Sequence, residues 1–204
     1  MKLFGGGAGG LLLFISSLIL SSISTVLEFP ATEWAATDFH AFNVAVWDKL
    51  SADPSIAALD FRIETDRHGQ ILASPLASPL HGSRQVTTGS LLHHWHPLGR
   101  VISECPVSTS EGVKAIDVAW CSAEIWERFK DQSCFLKCPE ICVEICSPSN
   151  TRSELEEKKR LYFAAGAREV WFCERDGSMR FFLAPESEPV AGSALVPAFP
   201  GRIA

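Results

Sequence analysis

Two acidic residues interrupt strand-like apolar runs in the second half of this chain, Asp117 within KAIDVAWC and Glu144 within EICVEIC. A carboxylate inside a buried strand loses several kcal/mol of hydration unless it is paired or holds a cation. Two of them in neighbouring strands demand a partner, and a hard divalent ion is one. Strand alternation puts Asp117 on the face of Ala115, Ala119 and Cys121, opposite Ile116, Val118 and Trp120, and the small residues leave room beside it. Glu144 shares its face with Cys142 and Cys146, while Ile141, Val143 and Ile145 cover the other side. A cation follows in the segment 153–165. At about 100° per residue, Leu155, Leu161, Tyr162 and Ala165 form its buried stripe, with Lys158 at the centre and Lys159 at the margin. From there an ammonium can reach back to Glu144. Two acids that hold a metal and a lysine that orients a water suit phosphodiester hydrolysis, because the ion offsets phosphate charge and lowers the pKa of water. Taken singly, each residue also fits a structural role, Lys158 for instance as the i,i+4 partner of Glu154; the joint arrangement points to chemistry.

The elements that must position these side chains alternate along the chain. Residues 31–50 carry a helical stripe of Trp34, Phe39, Phe42, Val46 and Trp47, with Thr32 as N-cap and Asp53-Pro54 as the stop. Phe61–Glu64 and Gln70–Ala73 flank a turn at Asp66–Gly69 and read as a hairpin. Pro79 opens a helix over His81–Trp95 that Pro97–Gly99 ends. Three strands are predicted at Arg100–Cys105, Lys114–Cys121 and Glu140–Cys146. Ser122 caps a short helix through Phe129, and Asn150–Ser153 caps the longer one, closed by Gly166. Arg168–Glu174 and Met179–Leu183 form a last hairpin around Asp176-Gly177. This succession predicts one α/β domain with a central mixed sheet flanked by helices.

The stretches GVKAIDVAWCS (Gly112–Ser122) and PEICVEICSPSNTRSELEEKKRLYFAAGAREVWF (Pro139–Phe172) resemble the Uma-two-type restriction endonuclease family, a branch of the PD-(D/E)XK nucleases. The likeness extends more loosely through FRIETDRHGQI (Phe61–Ile71) and SALVPAFPGRI (Ser193–Ile203). It implies a restriction-endonuclease-like α/β core, cleavage of DNA dependent on Mg²⁺ or Mn²⁺, and metal-binding roles for Asp117 and Glu144 together with the Ile145 carbonyl. It makes Lys158 the catalytic lysine and gives Glu64 an auxiliary contact to metal or water. Two positions depart from the superfamily pattern: Ile116 stands where a proline usually precedes the aspartate, and Cys146 where a lysine usually follows the glutamate. In this branch the lysine lies on the following helix, and EEKKRLY offers Lys158 four residues before Tyr162.

Composition bounds these readings. The 204 residues suffice for one domain with its own core. A net charge of −6 excludes a broadly basic nucleic-acid binder. Between Ser147 and Arg180, seven Lys/Arg face six Asp/Glu, so a duplex would need metal ions, a partner or the groove of a homodimer to offset its phosphates. No small-molecule cofactor is expected. A fold that has kept its shape and lost cleavage, acting in nucleic-acid or protein binding, is the rival reading. Seven cysteines outside any CxxC pattern suit free thiols in the cytoplasm. Cys134, Cys138, Cys142 and Cys146 recur every fourth residue, but a strand spreads such spacing along an extended segment. His93, His94 and His96 suit a helix C-terminus, whereas His81 could face the cleft. Residues 1–28 form an apolar extension set apart from the domain at 29–204. Its run Leu11–Leu27 resembles a secretion signal or a short membrane anchor, yet is short for a span and holds six Ser/Thr, and a start codon placed too far upstream would give the same run.

Overall fold

A computed structural model of the chain describes residues 38–58, 61–148 and 150–203. The apolar run 11–27, the proposed cap Thr32 and the boundary at 28/29 lie outside these residues. Helix α1 (Phe39–Ala52) begins at Asp38, whose carboxylate accepts from the backbone N–H groups of His40 and Ala41. Asp53-Pro54 ends α1 as expected, and Asp53 at once caps a further single turn, α2 (Pro54–Ala57), with proline at its first position. The hairpin of β1 (Phe61–Thr65) and β2 (Ile71–Pro75) follows, then α3 (Pro79–Trp95), capped by Ser78.

The main sheet has five strands in the order β3-β4-β5-β6-β7. Strands β3 (Gly99–Thr109) and β4 (Gly112–Ser122) form a long antiparallel hairpin. The sequence predicts a strand that ends at Cys105, but β3 runs on through Pro106, because it is an edge strand, where a proline costs no ladder bond. Gly112 turns the chain at φ +93, and a Cβ there would come within 2.4 Å of the Thr65 and Asp66 carbonyl oxygens. After α4 (Ala123–Phe129), β5 (Ile141–Ile145) pairs antiparallel with β4 and parallel with β6 (Glu169–Cys173), and β7 (Met179–Phe182) closes the sheet antiparallel to β6. The parallel pair requires a crossover, supplied by α5 (Arg152–Ala164). Its start is fixed by a capping box between Thr151 and Glu154.

Both faces of the sheet are covered. Cys142, Phe172 and Phe182 pack with Leu155 and Tyr162 of α5 on one side, while Val143, Trp171 and Phe181 pack with Leu92 of α3 and Phe199 of the C-terminal segment on the other. A third cluster seats Val46, Trp47 and Leu50 of α1 on the β1–β2 hairpin. All seven cysteines are buried free thiols, so their fourfold spacing reflects core packing. His93 and His94 are exposed at the end of α3, and His96 stacks on Trp120 at 4.0 Å. Among the described residues no helix is long and apolar enough to cross a membrane.

Two face assignments differ from the sequence reading. Ile116 packs in the same cluster as Ala119 and Cys121 instead of opposite them. Strand alternation breaks at Asp117: the β3–β4 ladder has partners on either side of Glu104 and Asp117 but not between them, and Glu104 adopts φ +50. The buried stripe of α5 is also rotated. It runs through Leu155, Lys159, Leu161 and Tyr162, so Lys159 lies under the sheet with its ammonium 4.4 Å from the Phe182 ring centre and 2.5 Å from Glu156. Lys158 takes the margin of that stripe.

Candidate active site

The β4–β5 ladder contains Val118↔Val143, Ala119↔Cys142 and Trp120↔Ile141, and ends there. Beyond it the two strands diverge, and the next residues outward are Asp117 and Glu144. Asp117 Oδ2 accepts from the Ile145 backbone N–H at 2.6 Å, so the carboxylate replaces a ladder carbonyl and pins the mouth of the cleft. The stretch of β4 before Asp117 is served by the β1 hairpin. Thr65 Oγ1 accepts from the Val113 N–H at 2.9 Å, the Lys114 ammonium donates to the Thr65 carbonyl at 2.9 Å, and Glu64 Oε1 accepts from the Ala115 N–H at 3.2 Å. Alternation along β1 thereby delivers Arg62 and Glu64 together to the cleft.

Lys158, at the edge of α5, spans the two glutamates. Its ammonium lies 2.7 Å from Glu64 Oε1 and 3.2 Å from Glu144 Oε2, while the Tyr162 hydroxyl donates to Glu144 Oε1 at 2.7 Å. The predicted set Asp117, Glu144, Lys158 and Glu64 is therefore drawn together from four elements. Glu154, the alternative partner of Lys158, is engaged by its own helix cap. Asp117 Oδ1 is approached by the Arg62 guanidinium at 2.5 Å and by His81 Nε2 at 3.4 Å. Arg62 also donates to the Ala115 carbonyl and ion-pairs with Glu104 at 2.9 Å. From α3, Gln85 bonds Glu104 at 2.5 Å.

These contacts set the charge states. Desolvation raises the Glu144 carboxyl to about 7, and the Asp117 charge adds to the rise that Lys158 only partly offsets. Burial also disfavours charge on Asp117 and Glu64, but His81 and Arg62 outweigh it at the first and Lys158 at the second, so both stay below their ordinary values. Burial opposes the Lys158 charge too, yet Glu144 and Glu64 win and raise its pKa. Its hydrogen bond to Asp117 raises His81, and desolvation lowers Lys114.

Among the described residues no three His, Cys, Asp or Glu side chains stand as a ready-made metal cage, because each acid is closed over a protein donor. The donor chemistry nevertheless fits a hard divalent ion. Four carboxylates, Glu64, Glu104, Asp117 and Glu144, meet the cationic side chains Arg62, Lys158 and Lys114, and the third of these is turned to the Thr65 carbonyl. Glu144 is the acid left under-compensated.

The sequence reading missed Arg62, Glu104 and Gln85 and gave His81 little weight. Arg62 was detectable, since it lies two residues before Glu64 on one face of a short strand. Glu104 was not, because its placement depends on a left-handed residue inside a strand.

Comparison with known proteins bears on this geometry. A family model described as "Uma2: Putative restriction endonuclease" matches residues 52–197. A crystal structure from Anabaena variabilis, of a protein described as a "putative nuclease", is similar with a TM-score of 0.56 and 16% identity over 71% of this chain and 82% of that one. At that identity the likeness establishes a shared restriction-endonuclease-like fold. No curated protein matches the chain.

Proposed function

The protein belongs to the Uma2 family, and from that premise we propose that it is a divalent-metal-dependent endonuclease that hydrolyses DNA phosphodiester bonds. The observation that carries this reading is the convergence of Glu144 and Glu64 on Lys158, with Asp117 bonded to the Ile145 N–H beside them, at the point where β4 and β5 part. Asp117, Glu144 and the Ile145 carbonyl are the groups to hold Mg²⁺ or Mn²⁺, which when bound offsets phosphate charge and acidifies water. Lys158 acts as a fixed cation. Its raised pKa keeps the proton in place, so it orients the attacking water and stabilises charge developing on the phosphate without accepting a proton. Tyr162 locks the Glu144 rotamer, and Glu64 holds the ammonium in line.

Purified protein incubated with plasmid DNA and Mg²⁺ or Mn²⁺ is expected to nick or linearise it, with a loss of about a thousandfold in Glu144→Gln. Equal product from both proteins would remove the site. A second reading, a module that binds without cutting, is favoured by one observation: Arg62 already neutralises Asp117. Metal-dependent binding of duplex with no product would support that reading.

A further inference from the structure

A second concavity, of mixed polar and apolar lining, lies past Glu144 at the end of β5. It has a volume of about 160 Å³ and opens past the carboxyl ends of the parallel pair β5 and β6, where open α/β sheets bind their ligands. Its lining includes Cys146, Phe172, Asn150, Arg152, Arg175 and Arg180. Phe172 is the register partner of Glu144, and Cys146 follows Glu144 by two residues, about 7 Å along the chain. The charge of the cavity is opposite to that of the cluster, three arginines against Glu174, in a molecule of net charge −6. Arg180 is anchored, 3.1 Å from Glu174 and over the Phe182 ring. The other two are available. Arg152 approaches Glu156 at 3.6 Å with its side chain 68% exposed, and Arg175 makes no ion pair among the described residues.

We propose that this cavity is a subsite for a backbone phosphate of the nucleic-acid strand, next along the chain from the phosphate cut at the acid cluster. The proposal rests on the nuclease reading and extends it by giving the strand its path across the sheet edge. Guanidinium groups suit the role because their planar donors match phosphate oxygens in pairs. The Asn150 amide adds a neutral donor at the rim.

The test titrates the full-length Arg152→Ala/Arg175→Ala protein against a short fluorescein-labelled DNA duplex, by anisotropy, in calcium chloride at several salt concentrations. Affinity is expected to fall about tenfold, and the slope of log K against log salt to shrink by about 1, the signature of one lost phosphate contact. Arg175→Glu alone is expected to give the same direction of change, so the result does not depend on the double variant folding. Unchanged affinity and slope in both variants would overturn the proposal. So would inorganic phosphate that binds the wild type calorimetrically and is lost in the variants while duplex affinity holds, since the cavity would then take a free anion. A wild type that never cuts but shows the arginine-dependent slope would defeat the nuclease reading and leave the subsite standing. Cutting that Glu144→Gln abolishes, with no arginine-dependent slope, would do the reverse.

Discussion

Glu144 and Glu169 are both buried glutamates on the adjacent parallel strands β5 and β6, at 3% and 1% exposure. Glu169 sits at the amino end of its strand, where its two oxygens accept from the Trp171 indole N–H and the Leu195 backbone N–H at 2.7 Å each. Those donors are neutral and fixed, and they staple the C-terminal segment to the sheet. Glu144 sits at the carboxyl end and meets an ammonium, a phenol and, through space, other carboxylates. A buried acid is thus not a site by virtue of burial. Glu169 has its acceptors filled by two neutral donors of its own, whereas Glu144 shares its ammonium with Glu64 and lies among other carboxylates that leave it under-compensated, and such a group can exchange its partners for a ligand.

The largest effect that could break this contrast concerns the lysine. Lys158→Met is expected to lower cleavage by about 10²–10³-fold, because the fixed charge that serves the reaction is lost, while Lys159→Met, beneath the sheet, leaves the turnover of folded protein unchanged. Equal losses in both would show that α5 matters only as a scaffold. Next comes pH. With its folded value raised to about 7 from an ordinary 4.5, Glu144 binds a proton in the folded chain that the unfolded chain has released. Its contribution to stability is therefore full below about 4.5 and lost as pH rises through 7, on the order of 3 kcal/mol. Asp117 and Glu64, held below their ordinary values, act with opposite sign at lower pH. Urea titrations in EDTA should show stability falling more steeply between these pH limits in the wild type than in Glu144→Gln, where the raised His81 alone still lowers it toward the upper limit; equal falls in both would contradict the assignment. Glu169→Gln is a smaller perturbation, expected to cost about 1–3 kcal/mol by leaving one N–H donor unsatisfied, with cleavage per folded molecule intact. The mildest is Arg62→Gln. Freed of its guanidinium, Asp117 should bind Mn²⁺ about tenfold more tightly by electron paramagnetic resonance, whereas weaker binding would make Arg62 part of the metal site's support.

Much of the site was legible in the sequence because strand alternation is a strict rule. It singled out Asp117 and Glu144, helical periodicity added Lys158, and Glu64 came only with the family resemblance. The reading slipped where the rule is locally broken. Ile116 changes face because Glu104 takes a left-handed conformation opposite Asp117, a backbone event with no signal in ISEC. The stripe of α5 was off by one residue because Lys159 buries its stem under Phe182, and a charged head makes such a residue look like surface. β3 runs four residues past the predicted end at Cys105, through Pro106, since whether a proline interrupts a strand depends on which edge it occupies. Arg62 could have been placed beside Glu64 by the same alternation, but not its partner, which is set by the docking of the hairpin on β4, a contact between residues 55 positions apart.

The most direct test of the account is anomalous diffraction from crystals soaked in Mn²⁺. The expected result is a peak within inner-sphere distance of both Asp117 and Glu144, about 2.0–2.3 Å from their oxygens, with Arg62 turned away from Asp117. A strong peak elsewhere on the molecule, with Arg62 and Lys158 still closed over the acids, would contradict the claim that this cluster is a metal-dependent hydrolytic centre.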